Sequence, residues 1–268
     1  MTQEHETTLC WPRHNIFNVP VDALTVDQLH AWILRSVRRN ERALVLNVNV
    51  HALNLAYEQG WFADYLNQAE IVFCDGAGVM LAARLLGFHI PERITYADWM
   101  WQFAAFAAEH QLSFYFLGGQ PGVAAAAGDK LRARFPDLRI AGIQHGYFDK
   151  TPGSSENEAV VQEISRLQPN ILLMGLGMPL QERWLQENWP RLNANIALTG
   201  GAVFDYLSGQ LQRAPAWMTN NGLEWLGRLL IEPKRLWRRY VLGNPLFFWR
   251  VLQYKTRYQT APPTSNKS

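Results

Sequence analysis

Two stretches decide the fold: Leu44-Val-Leu-Asn47-Val-Asn49 and, after a helix-like segment, Ile71-Val-Phe-Cys-Asp75-Gly-Ala-Gly78-Val79. Each apolar run is too short for a helix, is rich in β-branched or aromatic residues and stops at small polar residues, which marks buried parallel strands feeding loops. The polar groups therefore stand at strand ends. In open α/β sheets ligands bind outside the carboxyl ends of the strands, so the Asp75 carboxylate and the Asn47 and Asn49 carboxamides can converge on one crevice. Asp75 is the first candidate for chemistry; the bland alternative is that it caps the following helix, and that the asparagines are strand-end turn residues.

Outward from this stretch the same pattern repeats. Strands are predicted at Ile71–Cys74, Ser113–Leu117, Arg139–Ile143, Asn170–Met174 and Asn195–Leu198, and helices at Val50–Gln59, Val79–Leu86, Tyr96–Glu109, Gly122–Phe135, Glu156–Leu167 and Leu180–Asn188. A capping box, Thr25-Val-Asp-Gln28, opens a further amphipathic helix. Strands alternating with helices of this length imply a Rossmann-like α/β fold, a parallel sheet with helices on both faces. Residues 1–16 read as a flexible N-terminus, 17–212 as the core, 213–258 as a basic aromatic helical appendage, and 259–268 as a disordered tail.

The loops at the strand ends carry the functional signal: Gly118-Gly119-Gln-Pro-Gly122, His145-Gly146-Tyr147-Phe148, Gly175-Leu-Gly177-Met-Pro179-Leu-Gln181-Glu182 and Thr199-Gly200-Gly201-Ala-Val-Phe-Asp205. Glycine lets backbone approach a ligand, and a helix N-terminus just beyond offers N–H groups to an anion, so several such loops on one edge suggest a pyrophosphate. Any one of them alone reads as a tight turn. Gly175-x-Gly177 also resembles a dinucleotide fingerprint, but Leu180 stands at the third glycine, and the next strand ends in Leu198-Thr199-Gly200, not an acid. That leaves a nicotinamide-dependent oxidoreductase, or a non-catalytic nucleotide-binding protein at a membrane, as the alternatives. His51, His89, His110 and His145 have no metal-ligand spacing and read as surface or packing residues; no Asp-any-Asp pair is present to hold a cation on a nucleotide diphosphate.

The 268 residues suffice for one large core plus an appendage, and the two cysteines, Cys10 and Cys74, imply no disulfide framework. The N-terminus has no signal-peptide core, and the longest uncharged apolar run, Tyr240 to Trp249, is about half the ~20 residues of a spanning helix, so neither export by that route nor an integral anchor is expected. Arg213 to Arg257 holds nine Lys/Arg against Glu224 and Glu232. Interleaved with tryptophan, tyrosine and leucine, this charge suits a helix at an anionic membrane surface; the competing arrangement is a helical hairpin packed on the sheet. No nucleic-acid-binding module is visible.

Taken in order, Phe-Cys-Asp75-Gly-Ala-Gly78, Glu92-Arg93-Ile-Thr-Tyr-Ala-Asp98, Phe-Leu-Gly118-Gly119, His145-Gly-Tyr147-Phe, Gly175-Leu-Gly177-Met-Pro179-Leu-Gln181-Glu182, Gly200-Gly201-Ala-Val-Phe-Asp205 and Gln212-Arg213…Gly222-Leu-Glu224-Trp225…Arg228…Glu232-Pro233-Lys-Arg235 resemble the WecG/TagA/CpsF glycosyltransferase family, from about Ile16 to Tyr240. The resemblance implies an inverting, metal-independent bacterial enzyme that uses no cofactor. It would move a hexose from a UDP-sugar to an undecaprenyl-diphosphate-linked acceptor, as a peripheral protein on the cytoplasmic face of the inner membrane; a homo-oligomer is left open.

Asp75 matches the family's proposed base, with Asn47 and Asn49 beside it. Arg93, Asp98, Gln181 and Asp205 match ligand contacts, and Gly118, Gly119, Tyr147, Gly177, Gly200 and Gly201 lie in the matching loops. Arg213, Arg228 and Arg235 match the appendage arginines. The teichoic-acid members resemble Thr-Pro-Asn where this chain has Asn47-Val-Asn49, and His51 replaces an acidic residue common there, which adds glucose to N-acetylmannosamine and its uronic acid as donor sugars.

Overall fold

The computed structural model describes residues 10–260. Its centre is an eight-stranded sheet of β1 (Arg13–Ile16), β2 (Val19–Asp22), β3 (Ala43–Val48), β4 (Ile71–Cys74), β5 (Ser113–Gly118), β6 (Arg139–Gln144), β7 (Ile171–Gly175) and β8 (Ile196–Thr199), in the order β1-β2-β4-β3-β8-β7-β5-β6. All neighbours pair in parallel except β1 and β2. From β3 the chain steps outward to β4 and then crosses to β5 on the far side of β8 and β7, so the strand order reverses beside β3 and β8. A crevice forms at such a switch point.

Alternation along the strands explains the two-faced core. Leu46, Val48, Val72, Cys74, Leu117 and Met174 point to one face, and Val45, Ile71, Phe73, Phe114, Phe116 and Leu173 to the other. On the second face lie α1 (Val26–Arg38), α5 (Tyr96–Glu109), α6 (Val123–Arg134) and α9 (Val203–Ser208). The first face is covered by α2 (Val50–Glu58), α3 (Gly60–Asn67), α4 (Ala77–Leu86), α7 (Ser155–Leu167) and α8 (Leu180–Asn188). The α/β architecture, with helices on both faces, is as the alternation predicts.

The N-terminal reading needs correction. Within the stretch expected to be flexible, 1–16, residues Arg13–Ile16 form the edge strand β1, and residues 1–9 lie outside the described residues. The β1–β2 turn places Phe17 and Asn18 at φ of 56° and 62°, a two-residue hairpin of the kind that matches strand twist. Asp22 then anchors the hairpin by accepting from Arg13 Nε at 2.8 Å and from the Val72 amide at 2.7 Å.

The appendage is α10 (Ala216–Asn220), α11 (Glu224–Ile231), α12 (Pro233–Trp237), a π-helical turn over Arg238–Leu242 and α13 (Gly243–Thr260). The helical appendage is not continuous: Gly222 adopts φ 73° between α10 and α11. Pro245 is accommodated directly after the π-helical turn, where the helical hydrogen-bond ladder is already shifted. α13 is part of the core: Phe247 and Val251 are fully buried against the face carrying α2 and α4. Arg250 donates to Asn54 Oδ1 and Glu58 Oε1, both at 2.8 Å, and stacks over Tyr57. The packed arrangement therefore holds for α13. Of the tail expected to be disordered, 259–268, the first two residues end α13 and residues 261–268 lie outside the described residues.

Candidate active site

The strand ends, the glycine loops and the appendage enclose a cavity of about 1310 Å³. That exceeds the roughly 300–1,000 Å³ of an ordinary small-molecule pocket, so two ligands fit side by side. On its floor Asp75 ends β4, its backbone N–H bound to the Val48 carbonyl at 2.9 Å and its carbonyl accepting from Thr95 Oγ1 at 3.2 Å. Its carboxylate Oδ2 accepts from Asn47 Nδ2 at 3.2 Å, and Asn47 Oδ1 accepts from Thr199 Oγ1 at 3.2 Å. The three strand ends β4, β3 and β8 thus share one hydrogen-bonded chain, which fixes the carboxylate. Asp75 does not cap α4; its side chain faces the cavity, and Gly76 holds the cap position.

Burial pushes the Asp75 carboxyl up to about 6. The nearby Glu224 carboxylate adds to the rise, while Arg93, a hydrogen bond from Asn49 and Arg239 oppose it. A carboxylate with this proton affinity is suited to take a proton near neutral pH. Asn49 has a second duty, because its Oδ1 caps α2 by accepting from the His51 and Ala52 amides at 3.0 and 3.1 Å.

The glycine loops divide into those that meet the cavity and those that support it. Gly119, Gly177, Gly200 and Gly201 line it with the exposed Tyr147. Gly118, at φ 145°, does not line it: a Cβ there would stand 2.4 Å from the Gly175 carbonyl oxygen, so only glycine lets β5 and β7 close up at this point. Gln181 is likewise placed beneath the floor. Fully buried, its Oε1 accepts from both the Gly177 and the Gly201 amides at 3.2 Å, clamping two loops together instead of reaching a ligand. Its neighbour Glu182 is also buried, with Oε1 bound to Gln181 Nε2 at 2.8 Å, Oε2 without a partner, and its carboxyl raised to about 7 by burial.

Asp205 lies in the first turn of α9 on the cavity wall; burial raises its carboxyl, against the nearby Arg235 and Arg228. Arg93 lines the cavity and meets Glu224 Oε2 at 3.4 Å. Arg228 and Arg235 line it too, both held by Glu232, at 3.1 and 2.8 Å. Arg213 and Asp98 are outside the lining; they pair with each other at 2.5 Å and Arg213 also approaches Glu224 at 3.8 Å, so they latch the appendage to α5.

Several lining residues escape sequence reasoning. Glu224, Arg239, Tyr206 and Tyr240 enter because the appendage folds back over the strand ends. His51, read as a surface or packing residue, lines the cavity at the start of α2 and is pushed down to about 4 by burial and by Arg239, so it is neutral at pH 7. Its position just after a strand-end asparagine, where the resemblance has an acidic residue, was the signal for this. Among the described residues no three His, Cys, Asp or Glu side chains gather to hold a metal ion, and no helix is long and apolar enough to cross a membrane.

Residues 14–261 match the glycosyl transferase WecG/TagA/CpsF family. The chain belongs to that family. It is therefore a glycosyltransferase, and the oxidoreductase and non-catalytic alternatives fall away. It is similar to the N-acetylglucosaminyldiphosphoundecaprenol N-acetyl-beta-D-mannosaminyltransferase of Bacillus subtilis (strain 168), with 27% identity over 225 residues, 84% of this chain and 85% of the relative. A Staphylococcus aureus (strain NCTC 8325 / PS 47) protein of the same name is 26% identical over 250 residues, 90% of this chain and 95% of the relative.

Proposed function

We propose that this family member is an inverting hexosyltransferase that moves N-acetylmannosamine, its uronic acid or glucose from a UDP-sugar to an undecaprenyl-diphosphate-linked acceptor during bacterial cell-surface polysaccharide synthesis. The observation that carries the reading is the Asp75 carboxylate, fixed by Asn47 on the floor of a cavity walled by glycine loops and arginines. Asp75 takes the proton of the acceptor hydroxyl as that oxygen bonds to the anomeric carbon, and the bond from that carbon to the UDP oxygen breaks on the opposite face. The electron pair leaves with UDP. Its developing charge falls on Arg93, Arg228 and Arg235 and on the loop amides, so the transfer proceeds without a metal.

A lipid-linked acceptor brings the enzyme to a membrane. Trp217, Leu230, Trp237, Val241, Leu242, Trp249 and Leu252 are exposed on the appendage, interspersed with the exposed Lys234 and Arg238. Exposed tryptophans amid cations suit the headgroup region of the cytoplasmic face. The test is UDP release from a panel of UDP-sugars with a short-chain polyprenyl-diphosphate-linked acceptor, with the anomeric configuration of the product read by NMR. A single active donor and an inverted product are expected. Release with no donor, or a retained configuration, overturns the reading.

A further inference from the structure

Arg239 stands apart from the other cavity arginines. Arg93, Arg228 and Arg235 each have a carboxylate partner, whereas among the described residues no carboxylate lies within ion-pair distance of Arg239. Its Nε is buried without a hydrogen-bond partner, and its Nη2 reaches only Asn49 Oδ1, at 3.5 Å, the atom that caps α2. It sits in the π-helical turn, a distortion that recurs at functional sites because it re-aims a side chain. A half-buried arginine with a buried, idle Nε–H, beside the positive end of a nine-residue helix, is a place suited to an anion.

The wall beyond it is apolar. Gly78, Val50 and Phe248 meet so closely that a Cβ on Gly78 would stand 2.4 Å from Val50 Cγ2 and 4.0 Å from Phe248 Cζ. Leu81 adds a half-exposed side chain to the same wall of the cavity. From Phe248 the surface runs on to the exposed Leu246 and Trp249. The glycine loops, Tyr147 and Asp205 belong to different strand ends, those of β5 to β8. An anion site followed by an apolar path describes an amphiphile and not a nucleotide.

Resting on the glycosyl-transfer reading above, we propose that Arg239 and the N-terminus of α2 bind the diphosphate of the lipid-linked acceptor, with Gly78, Leu81 and Phe248 leading its first isoprene units toward the surface. The nucleotide's diphosphate occupies the glycine-loop side, so the two diphosphates flank Asp75 from opposite ends of the cavity. His51, neutral and adjacent, can donate one ring N–H to the lipid-side phosphate.

The test titrates geranyl diphosphate, geraniol, inorganic diphosphate and UDP into the full chain by calorimetry, for wild type, Arg239→Gln and Arg239→Lys. Wild type is expected to bind geranyl diphosphate even when saturated with UDP, and to ignore geraniol. Arg239→Gln should weaken geranyl diphosphate roughly ten- to hundredfold, the worth of a charge-assisted hydrogen bond, and leave UDP binding unchanged, with Arg239→Lys between. Unchanged UDP binding also shows that the variants are folded. Competition between UDP and geranyl diphosphate for one site, or loss of UDP affinity in Arg239→Gln, assigns Arg239 to the donor and overturns the proposal. If wild type transfers sugar but geranyl diphosphate binding ignores Arg239, only the subsite falls; if wild type binds no UDP, the glycosyl-transfer reading falls and takes the subsite with it.

Discussion

The Glu224 carboxylate of the appendage lies 3.4 Å from the Arg93 guanidinium of the core, and its charge raises the proton affinity of Asp75 beside them. The appendage thereby tunes the Asp75 carboxyl as well as covering it. With Asp75 raised to about 6, its basic form predominates above that pH, so kcat/KM should fall as the pH drops through about 6. Glu224→Gln removes a like charge and should move this inflection to lower pH. Asp75→Asn should lower kcat by ~10²–10⁴ while UDP still binds. A pH–rate profile of the three proteins checks both statements, and an Asp75→Asn enzyme within tenfold of wild type would exclude an essential base.

Transfer should survive EDTA. The leaving charge is assigned to arginines and loop amides, and adding Mg²⁺ or Mn²⁺ back to chelated enzyme should not change the rate. A strict requirement for either ion would mean that the diphosphate is neutralised in another way.

Glu182 should be a weakness at high pH. Its folded carboxyl, raised to about 7, holds a proton that the unfolded chain releases near 4.5. The stability it contributes is present below 4.5 and is lost as pH rises to about 7. Glu182→Gln keeps an acceptor for Gln181 Nε2 without the charge, so it should be more stable than wild type at pH 8 by a few kcal/mol, and equal to it at pH 4. Denaturant unfolding at the two pH values gives the comparison.

Removing α13 should unfold the core. Phe247 is fully buried against the sheet-side helices, so Phe247→Ala should cost about 3–5 kcal/mol in denaturant unfolding. A chain ending at Gln212 should be insoluble for the same reason, although all eight strands precede that point. A soluble, cooperatively folding truncation would show that α13 is dispensable.

Vesicle binding should depend on side chains outside the cavity. Lys234→Gln with Arg238→Gln should weaken co-sedimentation with phosphatidylglycerol vesicles by roughly 1 kcal/mol for each charge removed. Trp237→Ser with Trp249→Ser should act in the same direction, with thermal unfolding unaltered. If the full-length chain ignores anionic vesicles, the membrane reading is wrong.

Local pattern made the body of the fold legible. Tyr96–Glu109 and Leu180–Asn188 are helices with the bounds their periodicity predicts, and the strand-end polar residues do converge. β1 was missed because Arg-His-Asn-Ile is a polar edge strand whose turn begins at a phenylalanine with positive φ, which no turn rule anticipates. α13 falls within the appendage expected to be helical, but its packing into the core was not legible, because the partners of Phe247 and Val251 are distant in the chain. In the site, Asp75 was found by its strand end, whereas Arg239 and Glu224 reach it across more than a hundred residues of chain. Gln181 was placed in the wrong role, since a carboxamide that clamps loops and one that binds a ligand share the same sequence signature.

The chain from Arg213 to Leu242 is fastened at both ends, to the core through α9 and to the core again through α13. It is an arch, not a flap. A flap swings on one hinge, whereas an arch can only bow. The arch also has a late keystone: Phe17 waits for Phe247 and Tyr254, whose rings it meets at 5.7 and 5.5 Å. The roof over Asp75 is therefore set only once α13, which follows all eight strands of the sheet in the chain, has docked on the core.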